Sequence, residues 1–469
     1  MFFKKSIAIV GLAGAGKTVF LTSLLDHLDN HDPKLLKLTY DADLGKKIIN
    51  LLNRGKRKEE IVTIRKFRSL GATRPFSEFD YHKFRNALIQ NSCWPEKTRD
   101  VSHGRYEFSR SDWNTTVCLD FLDFPGERIA DSLMVDQNFE GWSEEILTLF
   151  DSDEIYRDNT ADFISLFKND AFTAEQLISS YKLTLTKLLE NYHPIISPSI
   201  FSLDLKGKQI RRPKGQSLQE VANSRLSGLS ENEEFCPLPV TVREENKELT
   251  ERFKANYERY RKKVVMPLFE RLANSDQVMI LVDIVEILAA NVQRFNETYK
   301  VLKALLEACR PGTGIYKRLE NLLRGRMSCL SKIGFIATKA DLVRYADVTK
   351  LRTLLREMVD KLIRDYDHVD YDFFTCAAVQ STLPTNNPEE IEGYSVYDEE
   401  GNKLPRPDAK AQLNNIWISG LPSEWPEEWA EGDYSFAWVY PRMPKKLNTP
   451  AHQVGLDRIL DFIMGSSRE

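Results

Sequence analysis

At 469 residues, with 42% hydrophobic and 29% charged side chains and a net charge of −4, the chain exceeds the usual size of one hydrophobic core and lacks the positive field of a nucleic-acid binder. Its six cysteines are scattered without a C-x-x-C pair, which argues against a zinc cluster and a disulfide framework and suits a reducing cytoplasm. The most apolar window, residues 278–292, is broken by Asp283 and Glu286, and the Met-Phe-Phe-Lys-Lys start runs directly into a glycine loop, so neither a membrane span nor a cleavable signal is expected.

Residues 6–10 are a short β-branched run, followed by Gly11-Leu-Ala-Gly-Ala-Gly-Lys-Thr and then by an apolar pattern at helical spacing. The glycine stretch matches G-x-x-x-x-G-K-[ST] in full and lies between a strand and a helix, the context that gives the motif its meaning. Glycines let consecutive backbone N–H groups turn inward on phosphates, and the helix N-terminus adds partial positive charge. Ala13, Gly14, Ala15, Gly16, Lys17 and Thr18 are therefore the expected phosphate ligands. Lys17 reaches the β- and γ-phosphates and is the first catalytic candidate, while the Thr18 hydroxyl ligates Mg²⁺.

The core is expected to comprise residues 1–26, 92–139, 275–383 and 451–469. Residues 27–91 read as a helical insertion without strand signature. Strand-like runs at 105–108 and 115–121 flank Ser111-Asp-Trp-Asn and predict an antiparallel hairpin. The hairpin leads into Asp123-Phe-Pro-Gly126-Glu, where a strand-end carboxylate can hold Mg²⁺ and the Gly126 N–H can meet the γ-phosphate. Residues 140–274 form a second, larger helical insertion, with Leu249, Phe253, Tyr257, Tyr260, Val264 and Leu268 on one stripe. Buried strands resume near 278–283, 333–338 and 373–378. Residues 384–450 are a Pro-rich insertion holding Trp417, Trp425, Trp429 and Trp438, which are expected to pack around proline turns.

Thr338-Lys339-Ala-Asp341 also ends a buried strand. A carboxylate there can accept hydrogen bonds from guanine N1–H and N2–H₂, a pair that adenine does not offer, and a buried carboxylate left unpaired by the wrong base is costly. Lys339 would lie along the base, and the backbone around Ala377 and Ala378 can present N–H groups to guanine O6.

These elements, in this order, resemble the translation-factor and Ras-like class of P-loop GTPases, whose guanine motif is N-K-x-D; Thr338 stands in place of Asn, as in dynamin-like GTPases. Within that class the chain is similar to the YcjX-like bacterial stress proteins in its terminal P-loop, Cys93-Trp-Pro-Glu-Lys-Thr-Arg-Asp, Asp123-Phe-Pro-Gly-Glu and the Trp/Pro-rich stretch before the last helix. The resemblance implies a mixed, mostly parallel sheet with helices on both faces, carrying large, mostly helical insertions. It also implies GTP and GDP as ligands, Mg²⁺ as cofactor, a protein effector linked to envelope stress, and a cytoplasmic protein peripheral to the inner membrane.

The class places a switch threonine before the first hairpin strand, and Thr98 occupies that position as the expected sensor of Mg²⁺ and γ-phosphate. Arg99 beside it is the candidate arginine finger in cis, favoured by the Ala13 methyl, which crowds a finger from another protein; Arg105 and Arg128 are the alternatives. Glu127 stands where many relatives orient water with Gln, and its charge implies slow intrinsic turnover. Two other readings remain at this point: a nucleotide-locked scaffold with negligible turnover, and an ATP-using P-loop enzyme. The basic run at 206–214 and His103 read as a solvated loop and an unremarkable histidine.

Overall fold

The computed structural model describes residues 2–39, 61–74, 76–96, 100–113, 115–152, 154–168, 172–191, 195, 197–199, 217–223, 233–309, 330–364, 366, 369–398, 400–408, 410–442 and 448–465. The chain divides into two compact units. One comprises Met1–Gly126, Ser275–Tyr299 and Cys329–Glu469; the other comprises Glu127–Asn274 and Lys300–Ser328.

The first unit is built on an eight-stranded sheet. Its strands are β1 (Phe2–Gly11), β2 (Ile64–Gly71), β3 (Ser77–Glu78), β4 (Ser102–Arg110), β5 (Thr116–Asp123), β6 (Gln277–Val282), β7 (Lys332–Ala337) and β8 (Asp370–Thr375). The order is β2-β4-β5-β1-β6-β7-β8, with β3 beside β4. β5, β1, β6, β7 and β8 run parallel, while β4 runs antiparallel to β5 as the hairpin reading requires. Every residue of β6 is buried, the signature of a strand covered on both faces.

Alternation along the strands assigns those faces. Ile7 and Ile9 of β1, Phe121 of β5 and Leu281 of β6 pack with Phe20 and Leu24 of α1 (Lys17–Asp29) and with Ile459 and Ile463 of the last helix (Leu456–Met464). Phe335 and Phe373 point the other way and stack at 5.2 Å, with the Arg356 guanidinium of the helix Val348–Val359 5.1 Å above Phe373. The mixed, mostly parallel sheet with helices on both faces is thus present.

The described part of 27–91 is not purely helical. It contributes β2 as an edge strand of the main sheet, β3, and the helix Tyr81–Ile89. Ile64-Arg-Lys-Phe-Arg-Ser-Leu-Gly hides its strand character because only Ile64 is buried, so no alternation is forced on the sequence. A smaller sheet, β9 (Thr382–Pro384), β10 (Glu390–Gly393) and β11 (Asn414–Trp417), organises the Pro-rich insertion.

The second unit is helical around an aromatic core that includes Phe139, Trp142, Phe235 and Tyr257. The expected stripe holds from Leu249 to Tyr260, then shifts: Arg261–Val265 is a π turn, and its extra residue buries Val265 instead of Val264.

Candidate functional site

The glycine loop follows β1, the strand that pairs with both β5 and β6. Gly11 meets the Leu281 carbonyl of β6 so closely that a side chain would strike it. Gly14 and Gly16 have φ of 87° and 81°, and α1 starts at Lys17 immediately after Gly16. The loop thereby coils over the first turn of α1, whose amides are those a helix leaves to an anion. Lys17 folds back into it, its Nζ donating to the carbonyls of Gly11 at 2.8 Å and Leu12 at 2.9 Å. Ala15 is buried and donates its N–H to Leu12 at 3.2 Å, while Ala13 is exposed and Thr18 half-buried.

Asp123 ends β5 fully buried, in register with Ile9 of β1 and Ser102 of β4. The Phe124 N–H donates to the Ile9 carbonyl at 3.1 Å, which turns the chain across the loop. Gly126 then rests on it: a Cβ there would collide with Lys17 Nζ and come within 2.7 Å of the Ala13 nitrogen and 2.8 Å of the Leu12 carbonyl carbon. Two motifs more than a hundred residues apart therefore share one surface. A hydroxyl from Thr18 and a carboxylate from Asp123 are hard oxygen donors of the kind that suit Mg²⁺, which takes few protein ligands and keeps water and phosphate for the rest. Among the described residues no cluster of three or more His, Cys, Asp or Glu forms a cage of its own.

On the other side of β1, the ends of β6, β7 and β8 carry the second motif. The Thr338 N–H and hydroxyl both reach the Val282 carbonyl, at 3.0 and 3.4 Å. Thr338 thus ties β7 to β6 from the position of the usual Asn. Lys339 adopts a left-handed conformation, φ 58° and ψ 36°, and its ammonium forms an ion pair with Asp283. Asp341 is half-buried and accepts the Ser381 N–H at 2.7 Å; burial pushes its carboxyl up to about 6 against the opposing effect of that hydrogen bond. Its backbone carbonyl accepts the Thr382 hydroxyl.

Ala377 differs from expectation. It pairs with Val454, donating its N–H to that carbonyl at 2.9 Å, so its amide serves the fold rather than a base. Ala378 has its carbonyl bonded to the Ser23 hydroxyl of α1. Thr98 and Arg99 lie outside the described residues, as does the 206–214 run. Arg105 is engaged by Asp120 at 2.8 Å and by Thr73 at 3.0 Å. His103 is buried and accepts the Thr73 N–H at 2.9 Å, a structural role.

Glu127 opens the 3-10 segment Gly126–Met134 and is half-buried, with Arg128 next to it. Further along that segment, fully buried Asp131 accepts from Ser199 N and Oγ, each at 2.7 Å, and from the Tyr260 hydroxyl at 2.8 Å. The tryptophans divide. Trp425 and Trp429 pack on Phe295, but Trp417 and Trp438 are 55% and 72% exposed, so the packing expectation fails for these two. Trp94, four residues before Thr98, donates its Nε1–H to the Val439 carbonyl at 2.8 Å. No functional role is read for Asp283 or Asp131 from sequence, although Asp283 directly follows the buried strand β6, much as Asp123 closes β5.

Two curated relatives align over nearly the whole chain. Both are named Ras-like GTPase YcjX. The protein of Shewanella oneidensis is 22% identical over 497 aligned positions, covering 99% of this chain and 94% of its own. That of Escherichia coli K12 is 23% identical over 488 positions, covering 98% and 95%. The family model described as YcjX-like family, DUF463, matches residues 6–209 and 228–467. With a Ras-like fold, its strand-end motifs and a family match along nearly its whole length, this chain belongs to the YcjX-like family.

Proposed function

We propose that this protein binds guanine nucleotides and hydrolyses GTP to GDP and phosphate with Mg²⁺, acting as a nucleotide-dependent switch. The observation that carries the reading is the seating of Gly126 on Lys17 and the Ala13 amide, next to the buried Asp123. Phosphoryl transfer needs positioning and charge stabilisation more than covalent chemistry, and the ends of β1 and β5 offer backbone amides, one ammonium and one carboxylate there. In this reading Ala13, Gly14, Ala15, Gly16, Lys17, Thr18 and Gly126 receive the phosphates, and Thr18, Asp123 and Thr98 hold Mg²⁺. The ion would neutralise charge between the β- and γ-phosphates. Thr338, Lys339 and Asp341 receive the base, with Ala378 as the amide for O6. The names of the two relatives agree with GTP as substrate.

Among the described residues no helix is long and apolar enough to cross a membrane. Following the YcjX-like resemblance, this reading takes the protein to act in the cytoplasm or peripherally at the inner membrane, with an effector linked to envelope stress. The scaffold alternative is kept in view by Glu127, whose carboxylate opposes the γ-phosphate charge.

Calorimetry with GTP, GDP and ATP, followed by phosphate release from GTP, tests the proposal. Guanine nucleotides are expected to bind and ATP to compete poorly; equal competition by ATP ends the guanine assignment, and binding without phosphate release selects the scaffold. Single-turnover hydrolysis by Arg99→Ala, Arg105→Ala and Arg128→Ala locates a finger: Arg99→Ala is expected to slow turnover by about 10³-fold or more, and unchanged rates in all three leave these loops without one.

A further inference from the structure

We infer that Asp283 is a positioning residue for the guanine nucleotide: from the end of β6 it holds the Lys339 ammonium so that the lysine stem lies along the base. The assignment rests on the guanine reading above and deepens it.

Three observations converge on this pair. Asp283 follows Val282, whose carbonyl takes both the N–H and the hydroxyl of Thr338, so the ends of β6 and β7 are fixed to one another immediately beside it. Asp283 is itself oriented: one carboxylate oxygen accepts the Glu286 N–H at 3.0 Å and caps the helix Ile284–Ala289, while the other pairs with Lys339. Lys339 stands in a left-handed backbone conformation, which an L side chain keeps only where its surroundings specify it.

Asp283 is 7% exposed, whereas the Lys339 side chain is 36% exposed, so the acid is the buried anchor and the lysine the group it holds at the surface. A lysine on a free four-carbon stem must surrender its rotamer freedom when a ligand arrives. One already held by an ion pair has lost that freedom in the empty protein, and the difference appears as affinity. Burial acts to lower the Lys339 pKa, but the Asp283 carboxylate prevails and holds it above the ordinary lysine range, so the cation stays charged in place. Glu286 and Asp341 add negative charge nearby, and Arg294 takes up Glu286 at 3.3 Å. Asp283 is left as the direct partner of Lys339.

The test is a double-mutant cycle in the full chain, read by titration of a fluorescent GDP analogue with Mg²⁺. Asp283→Asn keeps the helix cap and removes the charge; it is expected to lose about tenfold in GDP affinity, the scale of a charge-assisted contact, without lowering the melting temperature of the nucleotide-free protein. Lys339→Met is expected to lose a similar factor, and the double variant to lose no more than either single one. Asp283→Ser, a second cap-preserving change, carries the same expectation should the Asn variant fold poorly. Wild type that does not bind the analogue ends the guanine reading itself. Wild type that binds while Asp283→Asn matches it within about twofold, or single losses that multiply in the double variant, overturns the positioning role alone.

Discussion

At Gly126 the absence of a side chain is a geometric requirement, because a methyl group would occupy the space of the Lys17 ammonium and the Ala13 nitrogen. Gly126→Ala therefore displaces one or the other. Overpacking of this kind costs about 1–3 kcal/mol, so GTP affinity measured by calorimetry is expected to fall about tenfold or more. Lys17→Ala is expected to remove measurable triphosphate binding in a protein that still folds, since its ammonium is turned to loop carbonyls rather than to the apolar core. Retained GTP affinity in a folded Lys17→Ala protein would falsify the phosphate assignment. His27 makes a different point. It is fully buried on α1, and burial first, then the neighbouring His31 and His452, push it down to about 4. A histidine held neutral in the fold binds its proton more readily when unfolded, so stability is lost as pH falls from about 6.5 towards 4, by about 3 kcal/mol in all. His27→Phe should remove that loss: urea midpoints at pH 7.5 and 5 should lie closer together in the variant than in wild type.

The elements show which parts of the site were written in sequence. Glycine spacing, a lysine and an acid at or just past the end of an apolar run are local signals, and the segments that follow β1, β5 and β7 offer them, so Lys17, Asp123 and Asp341 could be named as candidates from sequence. β2 could not, because an exposed charged edge strand carries no alternation, and the shift from Val264 to Val265 follows from a π turn that no residue type announces. Ala377 was misjudged because its amide is claimed by Val454, a partner 77 residues away in sequence. Pairing of strand ends is likewise a property of register, which is why Asp283 with Lys339 emerges only from the fold. The loop proposed to receive guanine also carries a pH dependence. In the proposed reading Asp341, pushed up to about 6, accepts two donors from the base only when ionised, so at pH values below about 6 binding releases a proton. GDP affinity should be flat above pH 7 and weaken through pH 6, approaching about tenfold per unit below it. Asp341→Asn should abolish that slope and favour xanthine nucleotides. In the other unit, Asp131 fastens the 3-10 segment to Ser199 and Tyr260 through three hydrogen bonds. Asp131→Ala leaves those donors buried, and a loss of about 2–4 kcal/mol is expected in chemical denaturation.

In the whole molecule, the motifs are near neighbours only after distant parts of the chain have met. Gly11 pairs with Leu281, the Ser6 N–H donates to Asp276 at 2.7 Å, and Thr39 is held by Asp461. The second unit's longer stretch, Glu127–Asn274, intervenes between β5 and β6. Such pairings are slow to form because the closure entropy of a long loop precedes the contacts that offset it. Val454 holds the Ala377 loop, and the Ile463 carbonyl accepts the Gln277 side chain at 2.9 Å at the other, starting end of β6, so the segment around Val454 and the last helix are fastened to the sheet at both ends of its strands. A version ending at residue 450 is expected to retain no nucleotide through gel filtration, whereas removing the terminal residues after Gly465 should leave binding intact. For the ribosome this ordering has a plain meaning. The glycine loop lies in the sequence long before Val454 and Ile463, so in the proposed reading a nascent chain cannot hold nucleotide until that later stretch has emerged and paired.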